Sequence, residues 1–103
     1  MGTMQKAITI YCNVSIVEDI LDIFKEVDIK NYTQWPRIVG VGPVTGPRLD
    51  NHVWPGANSG FQVIVREDMA TKLMDRLQEL RDSEAGRQSG IYAFQTAVER
   101  SLN

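Results

Sequence analysis

His52 is the only histidine of the chain and the residue best suited to bind a metal ion. Imidazole binds transition metals and titrates near neutral pH, and the neighbouring Asp50 and Asn51 could add oxygen ligands. No second histidine stands at ligand spacing, and a lone histidine in a loop is more commonly a solvent-exposed residue. The sequence therefore favours an exposed loop histidine, with a metal ligand as the alternative.

Arg87 and Ser89 could together bind a phosphate, because a guanidinium donates paired hydrogen bonds to phosphate oxygens. Both residues lie in the polar, glycine-bearing segment from Asp82 to Gly90, which we expect to be a loop. An arginine on such a loop is more often simply solvated. Solvation is therefore the favoured interpretation of Arg87, and phosphate binding is the alternative.

A second anion site could form at Gly40, Gly42 and Gly46, whose spacing leaves the backbone open. Glycines allow backbone N–H groups to approach an anion closely. They equally supply the positive φ angles of a bend. The residue types alone do not separate these two roles.

Two tryptophans could contact a planar ligand or pin the chain in place. Trp54 is followed by Pro55 and Gly56, a combination that favours a rigid turn anchor over a stacking platform. Trp35 stands next to Pro36, and we expect it in the core or in an interface.

No catalytic set emerges, because a nucleophile needs a base and an orienting group within reach. The only histidine lies in a proline-rich stretch without a nucleophile motif. Cys12 lies within an apolar strand with no activating neighbour in sequence, which predicts a buried structural thiol. A single cysteine cannot form an internal disulfide. We therefore expect a protein that is not an enzyme.

The composition of the 103 residues is that of one globular domain, 1–103, with 43% hydrophobic and 23% charged residues. A net charge of -2 without a basic stripe argues against nucleic-acid binding. No apolar run approaches the roughly 18 residues that span a bilayer, and the first residues lack a signal-peptide pattern. We expect a cytoplasmic protein in which residues 1–5 are flexible or partly foreign to the natural chain, with Met4 as a candidate for the natural start.

Apolar periodicity predicts four strands and two helices in the order βαββαβ. The predicted strands are Ala7 to Val14, Asn31 to Val41, Phe61 to Val65 and Ile91 to Val98. A capping box begins the first helix at Ser15, and Asp68 caps the second. Their apolar faces comprise Ile16, Val17, Ile20, Leu21, Phe24 and Val27 in the first helix, and Met69, Leu73, Met74, Leu77 and Leu80 in the second.

The segment from Gly42 to Gly60 contains three of the four prolines, which predicts a loop. Loops of this length in compact domains usually have a function. The remaining proline, Pro36, cannot donate to a strand ladder and predicts a bulge or a sheet edge.

The predicted sheet is apolar on both faces, since Ile8 and Ile10 alternate with Ala7 and Tyr11. Right-handed crossovers place both helices on one face. The apolar residues on the other face must also be buried. Because no third helix is predicted, we expect another subunit to bury them. The sequence therefore predicts self-association.

Several stretches resemble the PII superfamily of trimeric signalling proteins. The stretch 40–46, GVGPVTG, is similar to the GxGxxxG entry into the PII T-loop, and 90–94, GIYAF, falls where these proteins end their B-loop. The stretch 52–59, HVWPGANS, together with Trp35 ahead of the glycines, resembles small PII-like proteins often encoded beside metal-efflux transporters.

The resemblance implies an α+β, ferredoxin-like fold with a four-stranded antiparallel sheet and two helices on one face, assembled as a homotrimer. It implies that segment 42–60 is T-loop-like, and that a small ligand, an adenine nucleotide or a divalent metal ion, binds between subunits. It also implies a regulated partner, a membrane transporter. The ligand-binding residues would be Gly40, Gly42, Gly46, Trp54, Asn58, Arg87, Ser89 and Gly90, with His52 as a metal ligand.

The chain also departs from the PII pattern. It has 87–90, RQSG, where PII proteins carry a lysine-bearing GDGK-like cradle, and it lacks their basic C-terminal segment. The resemblance therefore does not carry ATP sensing over to this chain. The alternative function is divalent-metal binding, as in the CutA tolerance proteins, which share the trimeric architecture.

Overall fold

The computed structural model describes residues 4–39 and 58–102. Along the chain these residues form β1 (Gln5–Asn13), a 3-10 turn (Val14–Ile16), α1 (Val17–Glu26), β2 (Thr33–Ile38), β3 (Asn58–Arg66), α2 (Glu67–Asp82), α3 (Glu84–Ser89) and β4 (Ile91–Val98). The sheet order is β2-β3-β1-β4, and every neighbouring pair is antiparallel. This is the ferredoxin-like α+β arrangement that the sequence predicts.

The hydrophobic core lies between one face of the sheet and the long helices. Alternate residues of β1 and β3 point toward α1 and α2, as the period-2 pattern requires. The buried apolar residues are Ile8, Ile10, Cys12, Ile16, Ile20, Ile23, Phe24, Ile29, Phe61, Val63, Ala70, Leu73 and Leu77. The predicted helix faces are confirmed, and Ile23 and Ala70 are additional buried positions.

Two predicted segments differ from the structure. β3 begins at Asn58, so the end of the predicted 42–60 loop belongs to a strand. The segment predicted as a loop before β4 contains the short helix α3, whose first turn is capped by the Ser83 hydroxyl accepting from Gly86 N–H at 3.2 Å. Serine at this position satisfies an otherwise open helix N–H, so a polar glycine-bearing stretch still forms a helix.

The helix caps also differ from the predicted ones. The Asn13 side chain, not that of Ser15, accepts the hydrogen bond at the first turn, from Ser15 N–H at 2.9 Å. α2 begins one residue before the predicted Asp68 cap, and Arg66 precedes it without a side-chain cap. Asn is as good a cap as Ser, and here it stands at the end of β1 where the chain turns.

β2 is an outer strand and is interrupted at Pro36. Its register with β3 shifts between Trp35 and Ile38, because proline has no N–H for the ladder. The Ser59 hydroxyl donates toward the carbonyl oxygens of Trp35 and Pro36, at 3.1 and 3.0 Å. The predicted bulge and edge position of Pro36 are both confirmed.

The face of the sheet opposite the helices carries a row of aromatic side chains. Trp35, Gly60, Tyr11 and Tyr92 are successive partners across the four strands. The rings of Tyr11 and Tyr92 stack with centroids 6.3 Å apart, and Phe94 packs beside both. Gly60 makes room for the indole, since a Cβ there would lie 3.3 Å from Cε3 of Trp35. We call these five residues the aromatic row.

The aromatic row is open to solvent in the single chain. Tyr92 is 62% exposed and Trp35 is 42% exposed. The expectation that Trp35 lies in the core of the chain is therefore wrong, and its place in an interface stays a prediction. Large apolar rings gathered on one open face are typical of a surface that another molecule covers.

Among the residues that the structure describes, no helix is both long enough and apolar enough to cross a membrane.

Candidate functional site

The predicted site residues divide into two groups. Gly40, Gly42, Gly46, His52 and Trp54 lie outside the described residues. The remaining four, Asn58, Arg87, Ser89 and Gly90, belong to β3, α3 and the turn into β4. The candidate site is therefore built from this second group and its neighbours.

The turn between α3 and β4 brings Gly90 against the end of β1. Gly90 has φ 83° and ψ 126°, a left-handed backbone that glycine adopts without steric cost. Its carbonyl accepts from Asn13 N–H at 3.3 Å, and its own N–H donates to Gly86 O at 3.0 Å. The C-terminal end of β1 and the start of β4 are thereby fixed side by side.

Two serine hydroxyls connect this turn to the start of the first helical segment. Ser15 Oγ donates to Ser89 Oγ at 2.9 Å, across 74 residues of sequence. Ser15 is exposed and Ser89 is partly buried. The bond holds the end of α3 over the turn that leaves β1.

Asn13 and Asn58 face each other where β1 meets β3. They are directly paired in the antiparallel register, and they are 4% and 0% exposed. Because Gly90 lies on the other side of Asn13, the three residues form a row across β3, β1 and the start of β4. We call Asn13, Ser15, Asn58, Ser89 and Gly90 the polar cluster.

Asn13 is a member of the polar cluster that sequence reasoning missed. The available signal was an asparagine between an apolar strand and a helix start, where Asn is a favoured N-cap. Assigning the cap to Ser15 left Asn13 without a role. The structure gives it the cap and places it between two predicted ligand residues, Asn58 and Gly90.

Arg87 is not brought together with Ser89 on one face of α3. Residues two apart on a helix point in different directions. The Arg87 guanidinium donates from Nη1 to the carbonyl oxygen of Asp82 at 2.7 Å, which supports the end of α2. Its contribution to a phosphate site therefore stays a prediction, separate from that of Ser89.

The polar cluster and the aromatic row are neighbours on the sheet. Tyr11 lies two residues before Asn13 on β1, and Gly60 lies two residues after Asn58 on β3. Because side chains two apart on a strand share a face, a molecule covering the aromatic row reaches the polar cluster at its edge.

Cys12 lies between these residues on the opposite face and is buried. Burial raises the pKa of its thiol to about 12, because desolvation disfavours the thiolate. A thiol that stays protonated is a poor nucleophile and metal ligand. The prediction of a buried structural thiol is confirmed.

Within residues 4–39 and 58–102, no cluster of three or more His, Cys, Asp or Glu side chains is placed to hold a metal ion. His52, the predicted metal ligand, lies outside these ranges. The polar cluster itself offers hydroxyl and amide groups, which suit hydrogen bonding to a ligand.

A shallow groove of about 270 Å³ lies between α2 and β4. It is lined by Met74, Asp75, Leu77, Gln78, Arg81, Ile91, Tyr92 and Ala93. None of the predicted site residues lines it, so it is separate from the polar cluster.

No protein-family model matches the chain, and no curated protein does. Solved structures do match it. A PII-like signalling protein from Thermus thermophilus is 25% identical with a TM-score of 0.65, over 93% of this chain and 88% of that one. CPII from Thiomonas intermedia, a nitrogen regulatory PII-like protein bound to ADP, AMP and bicarbonate, is 16% identical with a TM-score of 0.65, over 96% and 97% of the two chains.

A third solved structure matches the chain at lower sequence identity. The B. subtilis GlnK–ATP complex is 8% identical with a TM-score of 0.63, over 93% of this chain and 84% of that one. The chain therefore has the fold of PII-like proteins along nearly its whole length. The comparisons agree with the PII-like resemblance of the sequence.

Proposed function

We propose that this chain is a PII-like regulatory protein that binds a small ligand, an adenine nucleotide, in clefts between the subunits of a homotrimer. It controls a partner protein according to the ligand it holds, and it catalyses no reaction. We propose that residues 1–103 act as one PII-like domain in the cytoplasm.

The observation that carries this proposal is the match to PII-like structures solved with nucleotides. CPII was solved with ADP and AMP, and GlnK with ATP, both with the same fold as this chain. The match to the T. thermophilus PII-like signalling protein supports a regulatory role. In this chain the turn at Ser89 and Gly90 supplies polar groups in the segment that resembles the end of a B-loop.

The aromatic row supports self-association. Its rings lie on a sheet face that α1 and α2 do not cover, and Tyr92 is largely exposed. Burying apolar area of this kind stabilises subunit contacts. A closed trimer would cover three copies of the row and form three equivalent clefts.

The partner that we propose is a membrane transporter, on the resemblance of segment 52–59 to PII-like proteins encoded beside metal-efflux transporters. Ligand control of such a partner requires two states with different ligand affinities. We propose the T-loop-like segment 42–60, up to the start of β3 at Asn58, as the element that changes between them.

Calorimetric titration of the full chain tests the ligand class. Separate titrations use ATP, ADP and AMP, and then copper, zinc and nickel ions. We expect saturable binding of at least one nucleotide at one site per chain. Binding of a metal ion without any nucleotide would replace this proposal by the CutA-like alternative centred on His52. Binding of neither class would remove the sensor function.

A further inference from the structure

The orientation of the Asn13 side-chain amide is fixed by a hydrogen bond to the backbone. Its Oδ1 accepts from Ser15 N–H at 2.9 Å. Because a backbone N–H can only donate, the oxygen must face Ser15. The Nδ2 group therefore points away from the helix start.

This Nδ2 group is buried and, within the described residues, has no hydrogen-bond partner. Asn13 as a whole is 4% exposed. Buried polar groups almost always have a partner, because an unmade hydrogen bond is not replaced by water. A donor held in this way calls for an acceptor from outside the described part of the chain.

The surroundings of Asn13 point to a ligand as the source of that acceptor. Asn58 faces it on β3, and Gly90 is bonded to its backbone on the other side. Ser89 Oγ accepts from Ser15 Oγ, so the proton of the Ser89 hydroxyl is free to turn toward a second acceptor. Two donors are thus available in the polar cluster.

We propose that Asn13 is a ligand-binding residue, whose Nδ2 group donates to an anionic oxygen of the bound molecule, a phosphate, carboxylate or bicarbonate oxygen. This proposal rests on the proposed function, since it names a contact within the same site. The Ser89 hydroxyl assists as a second donor.

The competing explanation is purely structural. Asn13 and Asn58 are paired across β1 and β3, and a small side-chain rotation could bring their amides into contact. In that case Asn13 would stabilise the fold and would not affect ligand affinity. The two explanations differ in which measurement the substitution changes.

The test compares Asn13→Asp with the matched control Asn31→Asp. Aspartate at position 13 keeps the oxygen that caps Ser15 N–H, since Asn and Asp cap equally well, but it replaces the donor by an anionic acceptor. Asn31 is exposed, so its substitution adds the same charge away from the polar cluster. Asn13→Ser keeps a cap without the charge and serves if the aspartate variant fails to fold.

Each full-length protein is titrated separately with AMP, ADP, ATP and sodium bicarbonate. We expect Asn13→Asp and Asn13→Ser to lower the affinity for the anion that the wild-type chain binds by about tenfold or more. This is the loss expected when a hydrogen bond to a charged group is removed. Asn31→Asp should bind within about twofold of the wild-type chain. The side-chain amide protons of Asn13 should also shift in NMR spectra when that anion is added.

The outcomes separate the two proposals. If the wild-type chain binds an anion and both Asn13 variants bind it equally well, the structural explanation holds and this inference is overturned while the sensor function stands. If the wild-type chain binds none of the four anions, both proposals fail. Loss of bicarbonate binding alone would identify a carboxylate-type oxygen as the acceptor, and loss of nucleotide binding a phosphate oxygen.

Discussion

Glu26 and Arg76 join the last turn of α1 to the middle of α2 through a two-pronged ion pair. Arg76 donates from Nε and from Nη2 to the two carboxylate oxygens of Glu26, the second contact at 2.9 Å. Nη1 of Arg76 also donates to Glu79 Oε1 at 2.9 Å. A bidentate arginine–carboxylate pair has a more defined geometry than a single contact. It fixes the two helices against each other at the edge of the core.

This ion pair makes stability depend on pH. The hydrogen bonds from Arg76 hold the pKa of Glu26 below its ordinary value of 4.5. Because the folded-state pKa is lowered, the contribution is present above 4.5 and is lost as the pH falls through the folded-state value. We expect Glu26→Gln to lower the urea midpoint at pH 7 and to show a smaller difference from the wild-type chain below pH 4.5.

The matched control for this experiment is Glu99→Gln, which removes an exposed carboxylate after β4. Both variants change the net charge equally. A pH-independent gap between Glu26→Gln and the wild-type chain would show that the carboxylate charge of Glu26 does not contribute.

Leu73 should be among the most sensitive positions of the core. It is 0% exposed on the sheet-facing side of α2. We expect Leu73→Ala to lower the free energy of unfolding by about 2–5 kcal/mol, since it removes buried methyl groups and leaves a cavity. Leu102→Ala, at an exposed position, should change it by under about 0.5 kcal/mol. Equal losses in urea denaturation would contradict the assignment of the core.

Gly86 holds α3 close to the end of α2. A Cβ at this position would lie 2.0 Å from the carbonyl oxygen of Leu80, so α3 must move to accept any side chain. We expect Gly86→Ala to destabilise the fold by about 1–3 kcal/mol, as for overpacking. It should also shift the amide resonances of Ser89 and Gly90. Gln88→Ala, on the exposed side of α3, should change neither.

Tyr92 offers a test of the proposed homotrimer. Light scattering of the wild-type chain should give about three times its mass of 11.6 kDa. Tyr92→Lys should yield smaller species, since it places a charge in the aromatic row. Gln88→Lys adds the same charge outside the row and should leave the mass unchanged. A wild-type monomer at micromolar concentration would contradict the proposal.

Cys12 should be almost inert toward thiol reagents in the folded protein. Its pKa is raised to about 12 by burial, and the thiolate is the reactive form. Labelling should therefore be slow at about pH 8 in buffer, near the ordinary pKa of a free thiol, and fast in denaturing urea. Rapid labelling without urea would mean that β1 opens readily or that the thiol is more accessible than the structure shows.

Much of the fold follows from local patterns in the sequence. Period-2 and period-3.6 alternation was enough to predict all four strands and the two long helices. β4 has the predicted bounds, Ile91–Val98. α3 was not predicted because its stability comes from the Ser83 cap and from close packing of Gly86 on α2. Such tertiary contacts override the loop preference of a short polar stretch.

The candidate site was less predictable. The sequence indicates Ser89 and Gly90 as ligand-binding residues because the segment resembles the end of a PII B-loop. The structure shows a positive φ at Gly90. Asn13 belongs to the site through its position in the sheet, where β1 lies between β3 and the start of β4. Which residues of two strands lie opposite each other depends on the register of the strands. Local patterns in a single sequence do not determine that register.

The interruption of β2 at Pro36 makes the two edges of the sheet unequal. β4 is an unbroken outer strand of eight residues without a charged side chain, and such an edge accepts a further strand readily. The β2 edge, with its missing N–H and shifted register, is a poor template. Strand addition between copies is therefore more favourable at the β4 edge than at the β2 edge. Open-ended edge-to-edge assembly of folded copies uses both edges of the sheet, so this asymmetry disfavours it.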